Sequence, residues 1–253
     1  MTRSLSCMML TAAAALGQAP QPAFEVASIR QHQGSVYRTG PLTFSSPLIR
    51  LEGYTVFGLV MDAYNLRDYQ LAFGAVARPD GIYDTQYDIV ARAPAAIAPS
   101  IDEARAMLRT LLADRFKLRV HWETKEMPVY VLVVGKNGPR LKASSANGQC
   151  AVNVGLASDG RNNEVTFSSC PIERLADWLS NLIVDRPVLD QTGLTGKFDF
   201  RLVAIPEYRT RNSSDPADIS GATAVGELGL KLVPQKARID ILAVDHVEKP
   251  DEN

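Results

Sequence analysis

Two long segments of this chain read as the same order of elements, and that repetition constrains the fold more than any single motif. The first begins at Ile49, "IRLEGYTVFGLVMDAYNLRDYQLAFGAVARPDGIYDTQYDIVARAP", and the second at Val165, "VTFSSCPIERLADWLSNLIVDRPVLDQTGLTGKFDFRLVAIP". Each runs short strand, amphipathic helix, short strand, glycine-containing turn, alternating strand. Each alternating strand opens on an aromatic followed by aspartate, Tyr87-Asp88 in one and Phe198-Asp199 in the other. Val56, Leu59, Val60, Ala63 and Tyr64 share one face of the first helix. Ile172, Leu175, Ala176, Leu179 and Leu182 share one face of the second, with Pro171 in its first turn, where a missing N–H costs nothing.

The stretches that follow also correspond. "SIDEARAMLRTLLADRFKLRVHWETKEMPVYVLVV" reads as a helix and then a hairpin. Ser100 and Glu103 have capping-box spacing, and Ile101, Ala104, Leu108, Leu111 and Leu112 form the buried stripe. In the later counterpart, "ATAVGELGLKLVPQKARIDILAVDHV", "LKL" matches "FKL" and "ILAV" matches "VLVV". Its helix is weak, because Gly226 and Gly229 each cost about 1 kcal/mol relative to Ala. The pattern predicts an α+β fold of two tandem β-α-β-β-α-β-β copies, with helices packed on small mixed or antiparallel sheets. "FEVASIRQ" adds a strand at the start. The copies are expected to span 24–143 and 144–253, with residues 206–221 a polar, mobile insertion in the second.

Ahead of the repeat lies "MTRSLSCMMLTAAAALGQAPQPAF". One Arg at position 3 precedes an apolar run from Leu5 to Leu16, too short to span a bilayer. It fits a signal peptide over residues 1–17, with Ala15 and Gly17 set for cleavage before Gln18 and Cys7 part of the discarded leader. The mature chain is then expected outside the cytoplasm, periplasmic or secreted. In that compartment Cys150 and Cys170 form an even pair. They stand about equidistant from the turn Ser158-Asp159-Gly160, with strand-like "AVNVGL" and "EVTFSS" between, which predicts a disulfide across a hairpin. Two free thiols are the alternative.

The 253 residues are 46% apolar, enough for a core, and carry a net charge of -1 with both signs dispersed. A nucleic-acid partner is not expected, since no basic footprint is present. No other run is long enough to cross a membrane.

The segments "FEVASIR", "YDIVARAP", "LLADRFKLRVHWETKEMPVYVLVV", "RPVLDQTGLTGKFDF", "LGLKLVPQKA" and "VDHVEKPDEN" occur in this order. In that order the chain resembles a soil-associated bacterial family of exported proteins, abundant in acidobacteria and treated as a domain of unknown function. Two local departures are Gln191, where Lys usually precedes Thr-Gly, and the shortened, glycine-rich helix before "LGLKL". The resemblance carries over no catalytic residues. Relatives joined to membrane metallopeptidase sensors imply a sensory or binding role. The strand-helix-strand units also look like the small periplasmic module of secretins and TonB-dependent receptors, a likeness of fold alone.

A Lys-Thr-Gly on a strand is catalytic in penicillin-recognising enzymes, and "LDQTGLTGKFDF" carries Thr-Gly twice, with Gln191 ahead of the first. That site also needs Ser-x-x-Lys and Ser-Asp-Asn, and neither occurs. Gly193 and Gly196 therefore read as turn residues feeding a strand whose Phe198, Phe200 and Leu202 enter the core. His32, His121 and His246 are far apart in sequence, so no metal site is expected. His121 reads as an exposed strand residue, and the Asp245-His246 pair as structural. Asp88 and Asp199, in matching places, suggest a shared structural task such as accepting a bond from the preceding turn. Asp62 lies in an apolar helix, at its margin or paired with an Arg. Asp114 and Arg115 close the helix before "FKL", where Arg suits the negative helix end. Tyr54, Tyr64, Tyr69 and Tyr83 offer a recognition groove or, more cheaply, core packing. The functional expectation is an exported, non-catalytic binding module without cofactors, working on an envelope protein or small ligand through a sheet edge or the groove between copies. The alternative is an extracytoplasmic hydrolase with converged carboxylates.

Overall fold

The computed structural model describes residues 21–34, 46–74, 85–145, 148–160, 162–184, 186–204 and 220–250. The predicted leader, Tyr83 and residues 206–219 of the predicted insertion lie outside them. Among the described residues the fold is mixed α+β, with four α-helices and three small sheets.

The first half contains β1 (Val26–Gln31), β2 (Leu48–Thr55), α1 (Val56–Tyr64), β3 (Leu71–Phe73), β4 (Gln86–Arg92), α2 (Ile101–Arg115) and β5 (Arg119–Val134). Then come β6 (Lys142–Ala143), β7 (Ala151–Leu156), β8 (Asn163–Cys170), α3 (Glu173–Trp178), β9 (Val188–Asp190), β10 (Phe198–Ala204), α4 (Gly221–Glu227) and β11 (Leu230–His246). One sheet has the order β1-β4-β2 and a second β6-β10-β8-β7. The third, β3-β11-β5-β9, draws strands from both halves.

Local chemistry explains the helices. Thr55 caps α1 by accepting from the Gly58 N–H at 3.1 Å, and α1 stops where Asn65 turns left-handed at φ 54°. Arg109 of α2 donates to the carbonyl of Ala63 at 2.7 Å, satisfying an end the helix leaves open. α2 starts with the capping box: Ser100 Oγ accepts from the Glu103 N–H, and the Glu103 carboxylate accepts from the Ser100 N–H at 2.8 Å. α3 is a single short helix that widens into a π turn over Leu179–Ile183. The weak helix forms as the seven residues of α4, capped by Ser220.

The hairpin predicted after α2 is not formed. β5 is one strand of 16 residues, and its partner is the 17-residue β11 of the other half, antiparallel from Leu230 opposite Val134 to His246 opposite Arg119. A tight two-residue hairpin turn needs residues that accept positive φ, and Glu123-Thr124-Lys125-Glu126-Met127-Pro128 has no Gly, Asn or Asp to supply them. From β2 the first half therefore runs β2-α1-β3-β4-α2-β5, its last strand continuing straight rather than folding back.

The short strands are exchanged in the same way. β3 pairs in parallel with β11, and β9 in parallel with β5. Residues 142 and 143, the end of the first copy in the sequence reading, pair with β10.

Packing follows this exchange. The first core gathers Ile29, Leu59, Ile89, Leu108, Leu112 and Phe116, and β11 adds Leu242 and Val244 to it. The second gathers Val165, Phe167, Ile172, Leu175, Leu179, Leu202 and Val225, and β5 adds Leu132. A smaller third cluster, Val129, Ile239 and Ile241, lies along the β5–β11 ribbon. Arg67 after α1 also pairs with Asp177 of α3.

Candidate functional site

The matching aspartates hold matching irregularities. β2 slips register against β4 between Leu51 and Tyr54, and Gly53 sits in that slip at φ 70°. Its N–H donates to Asp88 at 2.9 Å. β8 and β10 slip at Phe198/Phe200, and Ser169 beside the slip sits at φ 51°. Its N–H donates to Asp199 at 2.8 Å. Both carboxylates thus brace a bulge in the neighbouring strand, where an N–H has lost its ladder partner; the donor is that bulge rather than the preceding turn. The Ser169 N–H first, then the Ser144 hydroxyl, with Lys142 adding, hold the Asp199 carboxyl below the usual range. Asp88 also meets His32 Nδ1 at 2.7 Å. Asp88 and Asp199 stand in different sheets and do not converge.

The aromatics before them are structural. Tyr87 is buried, edge-on to Phe116 at 5.2 Å between centroids, and Phe198 is half-buried against the second core. "TGLTG" is a turn braced by its own side chains. Asp190 accepts from the Thr192 N–H at 2.9 Å and Thr192 Oγ1 from the Leu194 N–H at 3.1 Å, while Gly193 and Gly196 take φ 67° and 99°. Phe200 and Leu202 are buried.

Cys150 and Cys170 are joined by a disulfide, with Cα atoms 4.4 Å apart. The bridge ties the start of β7 to the end of β8, and closing a loop of this length contributes about 3 kcal/mol in the chain-entropy account. The hairpin between them turns where Asp159 accepts from the Asn162 N–H at 3.0 Å.

The remaining candidates are dispersed. Asp245 pairs with His121 at 2.9 Å, not with its neighbour His246, which meets Glu248 at 2.7 Å, and these contacts are exposed. Lys117 Nζ donates to the Asp114 carbonyl at 2.7 Å at the end of α2. Tyr54 is in the first core, Tyr64 lies under the Arg109 guanidinium at 5.6 Å, and Tyr69 packs on the third cluster, so these three line no common groove. Among the described residues no group of three or more His, Cys, Asp and Glu is placed to hold a metal.

Asp62 is half-buried on α1, and burial pushes its carboxyl up to about 6, against the opposing pull of Arg105. An acid whose folded pKa exceeds its unfolded value binds its proton more tightly when folded, so its contribution to stability falls as pH rises from about 4 to about 6. Asp62→Asn is therefore expected to flatten the decline in Tm over that window and to raise Tm at neutral pH. Thermal melts of both proteins across the window check this; an unchanged slope in the variant would show that Asp62 is not the group responsible.

A concave feature with binding character lies elsewhere among the described residues, at the start of α2. A cleft of about 320 Å³ is lined by Pro22, Ala23, Pro94, Ile97, Ala98, Pro99 and Met107, together with Glu103. One wall is the N-terminal arm, pinned where Thr110 Oγ1 donates to the Pro22 carbonyl at 2.7 Å and the Glu25 N–H to the Arg92 carbonyl at 2.9 Å. The other is "APAAIAP", residues 93–99, where Pro94 has no N–H with which to continue the β4 ladder. Met107 is buried and Ile97 is 74% exposed. The Glu103 carboxylate is engaged in the capping box, whose Ser100 N–H and then hydroxyl hold it below the usual range. In the sequence this segment stands out only as an apolar run set between two prolines.

No helix among the described residues is long and apolar enough to cross a membrane. No curated protein and no solved structure matches the chain. A family model described as protein of unknown function (DUF3738) matches residues 58–247, most of the chain and all of the exchanged sheet, and the chain belongs to that family.

Proposed function

We propose that the chain is an exported, non-catalytic binding module whose recognition site is the proline-lined cleft at the start of α2. The observation that carries this reading is the cleft's chemistry: about 320 Å³, walled by apolar side chains, with its one carboxylate engaged in a helix cap. That volume is in the range of small-molecule sites. Such a surface offers apolar contact and no acid, base or nucleophile free to act, which favours a small apolar ligand or the apolar side chains of an envelope protein. Export is supported by the leader-like first 17 residues and by the Cys150–Cys170 bridge. The motif order of the soil-associated exported family agrees with it. The likeness to the secretin and TonB-receptor module, and relatives joined to membrane peptidase sensors, support an interaction or sensory role over a hydrolytic one.

The test is a titration of the mature chain with Nile red, an uncharged apolar dye. Saturable one-to-one binding is expected, abolished by Ile97→Glu and by Ala98→Asp with melting temperature unchanged. The same variants should lose whatever envelope component the wild-type bait retains. Dye binding that ignores both substitutions would remove the cleft from consideration.

A further inference from the structure

We infer that two copies of this chain associate edge to edge through β7. This rests on the sheet edge alone and is independent of the cleft. β7 is the outer strand of the sheet β6-β10-β8-β7. Exposed edge strands present unpaired N–H and C=O groups that only another extended backbone can satisfy in register, and proteins ordinarily guard them with charges, Pro or short length. The other described edges are guarded: β1 carries Arg30, β2 carries Arg50 and Glu52, β6 carries Lys142, and β3 and β9 have three residues each. β7 reads Ala-Val-Asn-Val-Gly-Leu, six residues with no charge and no Pro. Val154 and Leu156 are 57% and 71% exposed on the side that also carries Val152, which packs against the second core.

Hydrogen-bond parity fixes which groups of β7 a partner strand would meet. Just beyond β7 the Ala157 N–H donates to the Asn162 carbonyl at 2.9 Å, so Ala157 points at the β8 side of the hairpin. In an antiparallel ladder, alternate residues turn both polar groups to one neighbour or to the other. Residues 155, 153 and 151 share the parity of Ala157 and face β8, so the groups of Val152, Val154 and Leu156 face outward. These three are symmetric about Val154. A second copy laid antiparallel with Val154 opposite Val154 puts Val152 opposite Leu156 on each side. All three pairs are then hydrogen-bonded pairs made from the outward groups.

The two-fold axis runs through the sheet from face to face, so the apolar side chains of both copies fall on one face. No like charges meet, and like charges directly opposite would oppose such pairing. The disulfide and the β8 ladder hold β7 extended before association, so little ordering is left for the encounter. The partner that this uncharged, symmetric strand fits is itself.

The experiment is sedimentation equilibrium of the oxidised mature chain. A concentration-dependent dimer is expected. Val154→Pro removes one outward N–H without touching the β8 ladder and should give a monomer with unchanged melting. Val154→Lys sets two ammonium groups opposite each other and should also be monomeric. Mixing Val154→Lys with Val154→Glu should restore a one-to-one dimer. A wild-type chain that stays monomeric to its solubility limit overturns the inference, including one that takes up a foreign extended peptide instead. So does a dimer that survives both Val154→Pro and Val154→Lys.

Discussion

Expressed separately, residues 24–143 and 144–253 are expected to remain unfolded, and mixed together they are expected to fold. The reason is the exchange of strands. Without the second half, β5 loses its entire antiparallel partner and β3 its parallel one. The first core also loses Leu242 and Val244, both buried. Removing even one large buried aliphatic side chain costs about 2–5 kcal/mol, and a whole domain is stable by only about 5–15 kcal/mol. The second half is no better placed, since Leu132 and the parallel partner of β9 belong to the first. Far-UV circular dichroism and thermal melts of each fragment and of the equimolar mixture check this. A cooperative melt from 24–143 alone would mean that its core closes without the ribbon.

Gly229→Ala is expected to destabilise the whole chain by roughly 2–6 kcal/mol, the sum of left-handed backbone strain and overpacking at about 1–3 kcal/mol each. Gly229 follows α4 at φ 72°, where a Cβ would stand 2.1 Å from the Gly138 carbonyl oxygen and 3.0 Å from the Arg140 nitrogen. Both are backbone atoms, held because the Gly135 N–H donates to the Gly229 carbonyl at 2.8 Å and the Arg140 N–H to the Leu228 carbonyl at 2.7 Å. Nothing flexible can yield, so the crossing of α4 over the end of β5 must open. Gly226→Ala, three residues earlier inside the helix with open space around its Cβ position, is the control. It should stabilise slightly, because Ala is the better helix former by about 1 kcal/mol. Denaturant unfolding of the two variants reads the difference. Equal and small effects would show that the crossing is not tight.

These two glycines show where sequence reading succeeds and stops. Both look alike in sequence, as weak points in a helix. Helix propensity describes Gly226 adequately. It misreads Gly229, whose constraint comes from a backbone segment 91 residues earlier, beside Gly138. The middle of β5 misleads in the same way. Glu123 to Glu126 is polar because the centre of the ribbon is largely exposed, and polarity without periodicity resembles a turn. The site was no more legible: "APAAIAP" has the composition of a linker, and it becomes a wall only when the N-terminal arm is pinned opposite it.

What the residues carried in themselves was local. The capping box of Ser100 and Glu103, the apolar stripes of α1 and α2, the turn at Asp159 and the pairing of Cys150 with Cys170 depend on neighbours a few to some twenty positions away. Period, cap chemistry and turn chemistry act at that range. The exchange of β3 and β9, the joining of β5 to β11 and the bracing of Gly53 and Ser169 by Asp88 and Asp199 could come only from the assembled fold. A strand's N–H and C=O groups are the same whatever their partner. The partner is chosen by which apolar faces can be buried together, a property of the whole chain.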